Sequence, residues 1–193
     1  MKKKIRLLYF IFIVLVALPP GGGVCAENLT VQFQDSIVDQ GSCYAVFSLN
    51  GYITYDTVDA IKNGITAKLK VTFQLIRSEG LRGLGQNILK EKVESLNISY
   101  DVWENSFVIE HEAPKSVRYV QKEGNIISMV NEIISPVAID VSSLGANEEV
   151  ALRAKIYIET IKLYPPFGIF LYFFDPWNYE SDWIYSDSFS LKK

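Results

Sequence analysis

The chain has 193 residues, 49% of them hydrophobic and 21% charged, with a net charge of −3 and a single histidine. That length and apolar content suit one ordinary domain with a real hydrophobic core. Beyond the N-terminus no cluster of Lys and Arg stands out, which argues against nucleic acid as a partner and against attraction to an anionic membrane surface.

The N-terminus reads as a secretory signal. Lys2, Lys3, Lys4 and Arg6 make a basic start, an apolar run covers residues 7–18, and Pro19, Pro20 and Gly21 to Gly23 break it. Val24-Cys25-Ala26 then offers small residues where a signal peptidase cuts, so cleavage is expected after Ala26. The apolar run of about 12 residues falls short of the ~20 that a bilayer-spanning helix needs. Val24 stands where a lipoprotein signal carries a smaller residue before its cysteine. The expected destination is the periplasm or the outer face of the cytoplasmic membrane, with an uncleaved anchor as the alternative. Residues 27–193 then form a single domain, acidic on balance and with Cys43 as the one remaining cysteine. Its place in the apolar series Cys43, Ala45, Phe47, Leu49 predicts a buried, inert thiol.

Period-2 alternation dominates the mature sequence and predicts half-buried strands. Leu29, Val31, Phe33 and Ile37 share one face, and Asp39-Gln40-Gly41 turns the chain into the strand 43–49. Thr54 caps a helix over 55–63, with Val58 and Ile61 on its buried face and Gly64 as its left-handed stop. Ile65, Ala67, Leu69, Val71, Phe73 and Leu75 form a longer strand. The glycines Gly80, Gly83 and Gly85, with Arg82 among them, lack the spacing of a phosphate loop and predict a mobile connection able to serve in binding. Ile98, Tyr100 and Val102 lead to a tight turn at Glu104-Asn105, and Phe107 and Ile109 return as a hairpin. Asn125 caps a second helix, 126–134, presenting Ile126, Val130, Ile133 and Ile134, and Pro136 ends it. Val150, Leu152, Ala154, Ile156 and Ile158 face inward from the last long strand, with Arg153, Lys155, Tyr157 and Glu159 toward water. One apolar face per strand predicts antiparallel sheets. The expected fold is mainly β, an antiparallel β-sandwich of the Ig-like or Greek-key type with two short helices in its connections.

The chemistry of catalysis is not legible. His111 lies between Glu110 and Glu112, whose side chains alternate away from it on a strand, so it reads as a surface residue at a strand end rather than a base or ligand. Neither Ser42 nor Cys43 stands in a nucleophile elbow. Asp175, Glu180, Asp182 and Asp187 lack the dense spacing of a calcium loop and read as a solvated acidic loop. No cofactor is implied, and an enzyme is not expected. The candidate interaction surface is the aromatic segment after Pro165-Pro166: Phe167, Phe170, Leu171 and Phe174, with Trp177 and Trp183 beside it. A run apolar on every face is either core or a surface that meets a membrane, a lipid-like ligand or a partner protein.

The order of these features resembles an exported bacterial family, domain-of-unknown-function family 4390. The similarity is carried by Ala60-Ile61 and Asn63-Gly64-Ile65 at a helix end, by the Ile98–Tyr100 hairpin, and by the helix before Pro136-Val137. It continues in the strand 151–163 ending in Tyr164-Pro165-Pro166, and in Asp182-Trp183-Ile184-Tyr185-Ser186. The family has no assigned activity, so no residue role carries over. The resemblance implies an envelope accessory protein, serving a membrane sensor. An interaction module is therefore the expected function, and a carrier of a lipid or apolar small molecule is the alternative.

Overall fold

The computed structural model describes residues 29–78, 87–145, 147–160 and 178–191. Residues 1–28, the glycine-rich connection and the aromatic run 167–174 lie outside them. In chain order come β1 (Thr30–Asp39), β2 (Ser42–Asn50), α1 (Tyr55–Lys62), β3 (Ala67–Arg77), β4 (Ile88–Asp101), β5 (Ser106–His111) and β6 (Ser116–Val120). A 3-10 turn (Glu123–Asn125) leads into α2 (Ile126–Ile134). The remaining strands are β7 (Val137–Asp140), β8 (Glu149–Glu159), β9 (Asn178–Glu180), β10 (Ile184–Tyr185) and β11 (Phe189–Ser190).

These strands make an antiparallel β-sandwich. One sheet has the order β1-β2-β7, and the other runs β10-β8-β3-β4-β5-β6, with β9 and β11 also paired to β8. The inward residues of both sheets belong to one core. The Phe47 ring of β2 meets the Phe73 ring of β3, centroids 4.6 Å apart and tilted by 55°. Leu69, Val71, Phe73, Leu75, Leu152 and Ile156 are wholly buried around that contact.

Both helices form where their apolar spacing places them, and α1 has its expected caps. The Thr54 hydroxyl accepts from the Thr57 amide, and Gly64 takes φ +92° just past α1, the backbone region that glycine enters without strain. At α2 the expected cap differs. The Asn125 side chain makes no capping hydrogen bond, and the preceding 3-10 turn feeds the helix instead. Ile126, Val130 and Ile134 are buried as the spacing requires, and Ile133 is half-buried.

α2 also completes the smaller sheet. β7 pairs with β2 only over Ser42 to Ala45. Farther along, Asn131 Oδ1 accepts from the Leu49 amide (2.7 Å) while its Nδ2 donates to the Leu49 carbonyl (3.0 Å). The Ser135 hydroxyl likewise serves both backbone groups of Phe47, donating at 2.8 Å and accepting at 3.3 Å. Two side chains thus supply the bonds that a neighbouring strand would have made, so this backbone is satisfied as buried polar groups must be.

The strand alternation breaks in one place. A β-bulge between Phe33 and Asp35 inserts Gln34 without a partner across the ladder, so later residues of β1 swap faces. Ile37, expected inside, is 51% exposed, and Val38 packs against the core opposite Cys43. The cost of truncation should follow this swap. Ile37→Ser is expected to change stability by no more than about 0.5 kcal/mol, whereas Phe47→Ala should lose about 3–5 kcal/mol. Urea denaturation of the two variants against the parent checks both.

Candidate functional site

The β4–β5 hairpin makes the most unusual surface among the described residues. Asp101 closes the turn: its Oδ1 accepts from the amides of Trp103 (2.9 Å) and Glu104 (3.2 Å), an Asx turn of the kind that short acidic side chains favour. Asn105 follows with φ 49°, and the Tyr100 hydroxyl donates to its Oδ1. Those bonds are local to the turn, and the side chains of Val102 and Trp103 stand outside them. Trp103 is 96% exposed and Val102 72%. Sequence reasoning put Val102 at the end of a strand, and the turn begins one residue earlier than that.

Behind the tip lies an open groove of about 830 Å³. Asp101, Glu104 and Ser106 form one wall, consecutive residues from Tyr119 to Lys122 a second, and Asn125 with Met129 a third. Ser106 is 4% exposed, and its hydroxyl has no hydrogen-bond partner. Tyr119, on the neighbouring strand β6, is 63% exposed. The hairpin was legible in the sequence, but β6 was not. Val117-Arg118-Tyr119 alternates too briefly and is too polar to announce a strand.

Two polar clusters lie elsewhere. On the inner face, His111 is 4% exposed and its Nε2 lies 2.6 Å from Glu94 Oε2. The surface position expected for His111 is corrected by this pairing. Its neighbours Glu110 and Glu112 do point away, but Glu94 comes across from β4, a contact between strands that local spacing does not reveal. On the outer face, Arg153 was expected to face water and is 7% exposed. Its Nε and Nη2 both donate to Gln74 Oε1 (2.8 and 2.6 Å), and Gln74 in turn donates to Glu91 (2.5 Å).

Trp183 is the one residue of the expected aromatic surface that falls within the described residues. Its ring covers the Arg153 guanidinium at 4.3 Å, with the Lys155 ammonium 5.7 Å away. Phe167, Phe170, Leu171, Phe174 and Trp177 lie outside the described residues, as do Gly80, Arg82, Gly83 and Gly85. Glu180, from the acidic stretch, pairs with Lys155 at 2.7 Å. Among the described residues no three of His, Cys, Asp and Glu gather as a metal site would require.

Cys43 is fully buried, as expected, and burial pushes its thiol up to about 11. Because the fold disfavours the thiolate, this group's contribution to stability is complete below the ordinary thiol range, from pH 9 down, and is lost as pH rises toward 11. Urea midpoints should therefore fall over that interval, and a Cys43→Ala variant should show a shallower fall. The buried pair gives a second expectation. His111→Ala leaves the Glu94 carboxylate in the core with only Lys92, 3.6 Å away, and should cost about 3 kcal/mol in urea titrations. Glu94→Leu added to it should restore much of that loss.

Residues 26–186 match the family model for a domain of unknown function (DUF4390). The chain belongs to that family. No curated protein and no solved structure matches it.

Proposed function

We propose that this member of DUF4390 is a non-enzymatic interaction or accessory module of the bacterial envelope, docking a membrane or envelope protein such as a sensor. The observation that carries the reading is Trp103, held almost entirely in solvent beside Val102 at a hairpin tip braced by Asp101. Tryptophan is the residue most enriched among the few that dominate binding at protein interfaces, and leaving two large apolar side chains in water has no benefit to the fold itself. The basic and apolar start of the chain, with its small-residue cleavage site, supports export.

A carrier of a lipid or apolar small molecule would hold it between the sheets or under the segment 167–174, which lies outside the described residues. Between the sheets the Phe47 and Phe73 rings are in contact and their neighbours are fully buried, which speaks against a ligand at that point.

The test is photocrosslinking in cells from a photoreactive residue at position 103. A discrete protein adduct is expected, and Trp103→Ala should lower recovery of that partner about tenfold or more. An adduct with lipid alone, or none with any protein, would sink the reading.

A further inference from the structure

We propose that the open edge of β6 receives an extended, acidic segment of the partner protein as an added strand. This deepens the interaction reading of the hairpin tip and rests on it. β6 pairs with β5 along one side, and among the described residues no strand pairs with its other side. An edge of this kind carries backbone donors and acceptors ready for another chain. One of them is already met from a side chain, since Arg118 Nη1 donates to the Val117 carbonyl at 3.2 Å.

Charge identifies the occupant. Lys62, Lys68, Lys70, Arg77, Lys92 and Lys155 each have a carboxylate within ion-pair distance. Lys115, Arg118 and Lys122 are exposed, have no carboxylate partner among the described residues, and all stand on or beside β6. No acidic residue lies between positions 113 and 122. In a chain of net charge −3 this is a local basic strip. It would repel the same edge of a second copy and attract an acidic strand, so it discriminates between partners as well as binding one.

The strand's own alternation sets the pattern to be matched. Val120 is buried toward the core, so Arg118 projects on that same side of the sheet, and Val117 and Tyr119 on the other. A strand laid alongside places its residues opposite these in turn. Acidic side chains fall beside Arg118, and apolar ones beside Val117 and Tyr119. At the C-terminal end of β6 the added chain runs into the groove behind Trp103. The groove wall carries Asp101 and Glu104 beside Lys122, so the acidic residues of the added chain lie along β6 beside Arg118 and its continuation into the groove is uncharged.

The probe is a labelled eight-residue peptide of alternating glutamate and valine, with an alternating lysine–valine peptide as its control. Titrated into the full chain, the acidic peptide is expected to bind at least tenfold more tightly by fluorescence anisotropy and to weaken with salt. Amide hydrogen exchange should slow at Ser116–Val120. Arg118→Glu combined with Lys122→Glu should abolish the preference, both positions being exposed and without structural ion pairs. Equal binding of the two peptides, no binding, or protection elsewhere on the chain would overturn the assignment. A groove that takes up a soluble oligosaccharide but neither peptide would overturn it too. The double variant also separates this inference from the reading beneath it. A protein adduct at position 103 that survives unchanged in the variant refutes the edge alone, and its loss supports the edge. No protein adduct in the unaltered chain removes both.

Discussion

Strand β3 is hydrogen-bonded to β4 on one side and to β8 on the other over nearly its full length, and its inward side chains are wholly buried. It lies inside the larger sheet, between its two longest neighbours. Phe73 reaches across to Phe47 and so ties the two sheets together, while Gln74, the next residue, faces the other way and carries the polar cluster of the outer surface. The two faces are linked by the strand period: a shift of one residue in β3 would send Gln74 into the core and Phe73 to Arg153. Burial at Phe73 therefore sets the register on which both faces depend.

The cluster around Arg153 shows how a sheet face can be covered without becoming apolar. A guanidinium is nearly excluded from water, yet its direct acceptor is a neutral amide, and the carboxylate that balances it sits one bond farther on. Trp183 lies over the charge and contributes both cover and attraction through its ring. The chain of bonds links three strands, β8, β3 and β4. Of the short strands that pair with β8, β10 lies beside this cluster, Tyr185 opposite Arg153, while β9 and β11 pair farther along on either side.

Much of this fold was legible in the sequence because alternation is a local property. The long strands, the Gln40-Gly41 turn, the Thr54 cap and the buried Cys43 all follow from residues within a few positions of one another. What was missed depends on contacts between distant segments. Ile37 faces out because of one inserted residue, and His111 is buried because Glu94 lies across the ladder. Asn131 and Ser135 look like ordinary helix residues until β2 is seen to need bonds that β7 is too short to give. The hairpin behind the candidate site was readable, but the exposure of its tryptophan and the strand beside it were not. A tryptophan in a sequence carries no sign of which side of the surface it will occupy.

The central place of β3 also sets an order in time. β4, β5 and β6 come directly after it in the chain, and short turns join these three, so one side of β3 can be zipped soon after it exists. Its other side waits for β8, where Val71 meets Ile156, and helix α2 and strand β7 must be made in between. Non-local pairing of this sort is slow, on a scale of milliseconds to seconds. During that interval a strand whose inward side chains are all apolar presents a bare edge, and the newly made chain is most exposed to pairing with a stranger.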